Sequence, residues 1–220
     1  RDDRNVATYN RTELTKERLI KDMVGRDPST FYQRERVPVG EVIFEARGVT
    51  GNGASDVSLS LRRGEILGVA GMAGSGRSEL MNVLFGSAPL AQGEIRIKGE
   101  VVRHANPGQA IRNRMCFITE DRQHTGLFLE QTIAQNVIAA NLVNTRGFFT
   151  SPAGDARIGD RYVKELNIKT RDSGTRAINL SGGNQQKVVL AKWFNTNGDI
   201  FIFDEPTRGI DVGSKQEIYQ

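Results

Sequence analysis

Leu180-Ser181-Gly182-Gly183-Asn184-Gln185-Gln186-Lys187, followed shortly by Phe201-Ile202-Phe203-Asp204-Glu205-Pro206, is the stretch that decides the fold. Its Ser-Gly-Gly turn opens a helix, whose first backbone N–H groups lack intrahelical acceptors and carry the positive end of the dipole, so it suits an anion. The second segment is an apolar strand ending in adjacent carboxylates, a pattern that suits Mg²⁺ and an attacking water. Upstream, Gly64-Glu65-Ile66-Leu67-Gly68-Val69-Ala70 reads as a short buried strand. Gly71-Met72-Ala73-Gly74-Ser75-Gly76-Arg77-Ser78 follows it with the spacing of a phosphate-cradling loop, in which glycines let N–H groups approach without a Cβ in the way. Together the three elements predict binding of a nucleoside triphosphate. One position departs from the pattern: the residue before Ser78 should be lysine and is Arg77. Its guanidinium keeps the charge but is bulkier and binds as a fork.

In this order, the three elements resemble the nucleotide-binding subunit of ABC transporters. The form LSGGNQQK, with Asp204-Glu205-Pro206-Thr207-Arg208-Gly209-Ile210-Asp211-Val212-Gly213 after it, is similar to the tandem-cassette sugar importers of the ribose, galactose and xylose type, and to their second cassette. The resemblance runs from about Asp2 to Gln220. It implies an α/β fold of the P-loop NTPase class, an ABC cassette with a mixed β core, an antiparallel β flank and a helical signature subdomain. It divides the chain into the tail of a preceding cassette (1–26), a linker (27–40) and a second cassette (41–220) that stops after the D-loop, before the family's switch histidine.

The resemblance also assigns roles. ATP and Mg²⁺ are the implied cofactors. Glu205 polarises the attacking water as the catalytic residue, while Ser78, Asp204 and Glu120 lie on the metal side. Gly71, Gly74, Ser75, Gly76, Arg77, Ser78 and Glu79 hold one nucleotide. Ser181, Gly182, Gly183 and Gln185 complete a different site, built on the P-loop of the first cassette, because the two cassettes pack head to tail. Glu120 stands where other cassettes place a metal-sensing glutamine, and an acid–base pair on the surface is the plainer reading of it. No aromatic residue occurs around Ala46 to Ser55, where one normally stacks on adenine.

The implied partners are the first cassette of the same polypeptide, the transmembrane permease subunits and, indirectly, a periplasmic or extracellular sugar-binding protein. The implied place is peripheral, on the cytoplasmic face of the bacterial inner membrane. The implied function is an ATPase subunit energising monosaccharide import, its Arg77 site weakened. Two alternatives stay open: a non-hydrolysing regulatory cassette, and a soluble tandem ATPase of translation or DNA maintenance.

Composition sets looser bounds. A length of 220 residues suits one domain with an appendage. The net charge of +4 comes from 30 basic residues spread among 26 acidic ones, which leaves no nucleic-acid footprint. The single cysteine, Cys116, excludes an internal disulfide framework, and its neighbours Met115, Phe117 and Ile118 mark it as a small core residue. No apolar run reaches the roughly 20 residues needed to span a bilayer. His104 and His124 lack metal-ligand spacing.

Along the chain, Arg1–Tyr9 reads as a hairpin remnant, and Thr15 is placed to cap a short helix with Leu19, Ile20, Met23 and Val24 as its apolar positions and Gly25 as its end. Strands are expected over 42–49, 57–61, 94–98, 101–103 and 115–119. Helices are expected over 78–85, 107–113, 132–140, 155–166 and 183–194, with Gly147, Pro152 and Gly154 as breaks.

Overall fold

The computed structural model describes residues 5–24, 37–145 and 151–219. The chain divides into two compact units, residues 1–36 with 209–220 and residues 37–208. In the first unit, Thr15 caps α1 (Lys16–Val24) as its sequence predicts, its hydroxyl accepting from Arg18 N–H at 3.3 Å. Residues 5–10 form no strand, and Arg1 to Arg4, Gly25 and most of the expected linker lie outside the described residues.

The second unit carries two sheets. β1 (Val42–Gly51) and β2 (Ala54–Arg62) form an antiparallel hairpin whose two-residue turn is Asn52-Gly53, both at positive φ (49° and 92°). Asn-Gly is the pair that reaches those angles at least cost. β1 also pairs with β3 (Gln92–Ile97), and β3 with β4 (Glu100–Val102), giving the order β2-β1-β3-β4. Ile43, Phe44, Ala46 and Val49 of β1 are buried. The second sheet is parallel: β5 (Met115–Ile118) runs beside β6 (Ile200–Phe203) in the register Met115↔Ile200 to Ile118↔Phe203. All four β5 residues are buried, as an unbroken apolar run in a parallel sheet requires.

The sequence expectation fails at Gly64–Ala70. No strand forms there, and Ile66 is 74% exposed, Leu67 and Val69 42% each. A strand persists through its hydrogen-bonded ladder, and among the described residues this segment is paired with neither sheet. Apolar composition alone leaves it an irregular approach to the phosphate loop.

Among its described residues the second unit also has five α-helices: α2 (Arg77–Phe85), α3 (Pro107–Arg112), α4 (Ile133–Ala139), α5 (Pro152–Glu165) and α6 (Gly182–Phe194). α5 starts three residues before its predicted start, and Pro152 and Gly154 open it instead of breaking it. Ser151 caps it through Gly154 N–H at 3.3 Å, and proline suits a helix's first turn because its missing N–H would be unsatisfied there. α6 is buried on nearly all sides, including Gln185, Gln186, Lys187 and Lys192. Phe85 at the end of α2 meets Phe117 of β5 and Trp193 of α6 edge-on, with centroids 5.4 and 5.6 Å apart. That aromatic junction locks the helix behind the phosphate loop to the parallel strands. The last helix, α7 (Val212–Tyr219), belongs to the first unit, and Asp211 caps it through Ser214 N–H at 2.9 Å.

α4 and α5 pack closely because Gly159 leaves no Cβ: one added there would lie 2.7 Å from Ser173 Cβ and 2.9 Å from Ala134 Cα. Gly159→Ala is expected to lower stability by roughly 1–3 kcal/mol, read as an earlier urea midpoint. An unchanged midpoint would show that α5 tolerates displacement from α4.

Candidate nucleotide-binding site

From the irregular segment the chain turns through Gly74 and Gly76, at φ 77° and 85°, and enters α2 directly. Gly76 is the N-cap in a left-handed conformation, and no side chain caps the helix. The N–H groups of Arg77, Ser78 and Glu79 are therefore left for an anion. Gly71 lies so close beneath Ser75 that a Cβ there would stand 2.3 Å from its Oγ. The β1–β2 turn reaches this helix start, Asn52 donating to the Glu79 carbonyl at 3.3 Å.

Because β5 and β6 are parallel and in register, their carboxyl ends coincide, where open α/β sheets place ligands. Asp204 follows β6 directly, its N–H donating to the Ile118 carbonyl at 2.9 Å. Its carboxylate and the Ser78 hydroxyl engage no other group among the described residues. Glu205 comes next with φ 44°, a left-handed conformation that costs a non-glycine residue about 1 kcal/mol or more.

Two ion pairs join the predicted residues in a way that spacing did not suggest. Arg77 reaches across to Glu205, Nη2 to Oε1 3.7 Å, with the side chains 33% and 48% exposed. Glu120, just beyond β5, pairs with Arg208. The Arg208 carbonyl also accepts from Arg122 Nη1 at 2.8 Å. Among the described residues, no three of His, Cys, Asp and Glu converge as a metal cluster.

The other predicted cradle is the start of α6. Ser181 occupies the N-cap position without capping: its hydroxyl accepts from Asn184 Nδ2 at 2.9 Å, and the helix N–H groups keep no side-chain partner. Gln185 is buried, donating to the Ala177 carbonyl at 3.2 Å and facing Gln123 at 3.5 Å, so its side chain serves the interior of the fold. Among the described residues, no hydrogen bond or ion pair links Ser181–Gly183 to residues 71–79. The two glycine-rich helix starts are separate, which is the arrangement that the head-to-tail expectation needs.

The remaining singled-out residues are structural. Cys116 is fully buried, 3.3 Å from Thr196 Oγ1, and burial pushes its thiol up to about 11. His104 is buried with Nδ1 2.9 Å from the Leu84 carbonyl and Nε2 3.1 Å from Asn113 Nδ2, and burial lowers its pKa.

Solved structures carry the same architecture. An ATP-binding cassette of an ABC transporter in its ADP conformation matches with a TM-score of 0.66 at 20% identity, covering 81% of this chain and 74% of that one. A dimeric cassette bound to ADP and phosphate matches with a TM-score of 0.67 at 21% identity, over 80% and 79%. The fold is thus that of a P-loop ATPase cassette. Residues 54–208 match the ABC transporter family, and the chain belongs to it. Over its whole length it is 45% identical to an ATP-binding protein of Rhizobium johnstonii whose name provisionally assigns it to ribose/galactose/methyl galactoside import. It is 42% identical to the ribose import ATP-binding protein of Bacillus subtilis. The chain spans less than half of these relatives, 44% and 45% of their lengths.

Sequence reading missed the turn between β5 and α4. Arg122–Gly126 form a single π-helical turn, which Asp121 caps by accepting from Gln123 N–H and His124 N–H, each at 3.0 Å. Those bonds, the His124 N–H first, hold the Asp121 carboxyl below its usual range. An Asp two residues before the first bonded N–H was the available signal. Lys192 of α6 closes the turn from inside by donating to the Gly126 carbonyl. It is 8% exposed, and burial lowers its amine from 10.5 to about 8. The unfolded chain therefore holds a proton that the folded chain releases between those two values, so stability rises with pH across that window, by at most about 1.4 kcal/mol per unit. Lys192→Met is expected to remove that rise, which paired urea titrations at pH 8 and pH 10 would show; parallel slopes for the two proteins would refute it.

Proposed function

We propose that this chain is the second cassette of a tandem ATP-binding subunit that energises monosaccharide import. One observation carries it: a single α/β unit presents two uncapped glycine-rich helix starts and, at the shared end of its parallel strands, adjacent carboxylates. The names of the relatives supply the sugar class. The reading places the subunit peripherally, on the cytoplasmic side of a permease; among the described residues no helix is long and apolar enough to cross a membrane. Residues 1–26, 27–40 and 41–220 are, on this reading, the tail of the first cassette, the linker and the second cassette.

In its own site, residues 71–79 hold the phosphates of ATP through backbone N–H groups, with Arg77 adding charge. Ser78 and Asp204 offer free hard oxygen donors that fit Mg²⁺, which would supply charge neutralisation at the phosphates. Glu120 is already paired with Arg208. Glu205 would orient the attacking water and accept its proton. Ser181, Gly182 and Gly183 would face the γ-phosphate held by the first cassette, where hydrogen-bond donors aimed at developing charge contribute most.

The Arg77–Glu205 ion pair favours a second reading of this cassette's own site, in which nucleotide is bound but scarcely hydrolysed, since a carboxylate engaged by a guanidinium is less available to orient a water. The two readings predict the same asymmetry. In the full polypeptide with its membrane partners, Ser181→Arg is expected to lower steady-state ATPase activity by about a hundredfold, the scale on which oxyanion donors act. Glu205→Gln should cost less than the matching substitution in the first cassette. If Ser181→Arg left activity within a few-fold of wild type, the assignment of this helix start to a nucleotide would be wrong. An equal or larger loss from Glu205→Gln would make the Arg77 site the catalytic one.

A further inference from the structure

Asn184 is the third residue of α6, and its side-chain amide is engaged at both ends. Its Oδ1 accepts from Lys169 N–H at 2.9 Å, and its Nδ2 donates to Ser181 Oγ at 2.9 Å. The first bond settles the orientation of the second: a backbone N–H only donates, so the carbonyl end of the amide faces Lys169 and the NH₂ end faces Ser181. The amide then acts on Ser181 in two ways. A serine at the N-cap ordinarily accepts from the N–H of the second or third helical residue, here Gly183 or Asn184. That bond is not made; the Ser181 oxygen accepts the amide instead, and both N–H groups keep no side-chain acceptor. A hydroxyl has a single proton, and one whose oxygen accepts from a fixed NH₂ group points that proton away from it. The same bond thus keeps the start of the helix open and turns the Ser181 O–H outward as a donor. The stretch 167–169 after α5 does not depend on Asn184 alone, since Lys187 of α6 donates to the Asn167 carbonyl at 2.8 Å.

We infer that Asn184 is a positioning residue for phosphate at this helix start: it diverts Ser181 from capping α6 and aims the Ser181 hydroxyl as a donor at the ligand. The inference rests on the reading of Ser181–Gly183 as the part of this chain that meets a γ-phosphate, and it adds the residue that makes serine a donor there instead of a cap. Asn184 acts through Ser181, without touching the phosphate itself.

The test is a double-substitution cycle on the kcat of ATP hydrolysis by the full polypeptide with its membrane partners, using S181A, N184A and the two together. N184A is expected to lower kcat about tenfold, less than the loss of a whole oxyanion donor. S181A/N184A is expected to fall within about twofold of S181A, because without the hydroxyl the amide has nothing left to orient. Losses that multiply, as those of two independent structural defects would, overturn the proposal, and so does either single variant within about twofold of wild type. Those outcomes leave the nucleotide reading standing; indifference to Ser181→Arg removes that reading, and the proposal with it. Amide exchange of the buried peptide 185–194 reports whether each variant is folded. Should N184A unfold, N184D replaces it, since its carboxylate still accepts from Lys169 N–H but takes the Ser181 proton for itself. Its loss is then expected to be at least about fivefold greater with Ser181 present than in the S181A background, and equal losses overturn the proposal.

Discussion

The parallel pairing of β5 with β6 is the constraint on which the rest depends. Its register brings Ile118 beside Phe203, and the bond from Asp204 N–H to the Ile118 carbonyl extends the pairing by one residue. Glu120 and the Asp204-Glu205 pair are 84 residues apart in sequence at their nearest, yet leave the sheet at one end because the strands share direction and register. A one-residue slip would send alternate side chains to the opposite face and separate the acids. The edge-on contacts of Phe85 with Phe117 and Trp193 then fix the back of α2 to the same strands. The phosphate loop is thereby held from behind by apolar packing, with Arg77 reaching the Glu205 carboxylate.

Much of this was legible in the chain. The uncapped start of α2 follows from glycine at the capping position, whereas α6 is left uncapped because the hydroxyl of Ser181, itself a good capping residue, is taken by Asn184. The burial of β5 follows from an unbroken apolar run. Helix limits at α2, α3 and α6 fall within a residue or so of expectation because glycine, proline and asparagine mark them plainly. The start of α5 differs from expectation because Pro152 reads as a break, although serine followed by proline is also how a helix begins.

What stayed hidden depends on long-range geometry. The segment Gly64–Ala70 has the composition of a buried strand, but composition does not supply the neighbouring edge, and an unpaired apolar segment remains irregular. The two arginine–carboxylate pairs join residues 128 and 88 positions apart, so no spacing rule could find them. Gln185 looked like a ligand by its place beside the glycines, whereas the helix turns it inward to Ala177. Its direction is set by the helical period once the buried face of α6 is known.

Helix α6 has a mechanical consequence of its own. Its 13 residues span roughly 20 Å at 1.5 Å per residue. One end is the Ser181 turn, and near the other Lys192 grips the Gly126 carbonyl of the loop that follows β5. A helix enclosed on nearly every side has no room to bend and behaves as a strut. A force on its glycine end is delivered, with little loss to internal compliance, to the loop that leads out of the acidic end of the sheet. The loop is thus held along the length of the helix, by Gln185 near its glycine end and by Lys192 near the other.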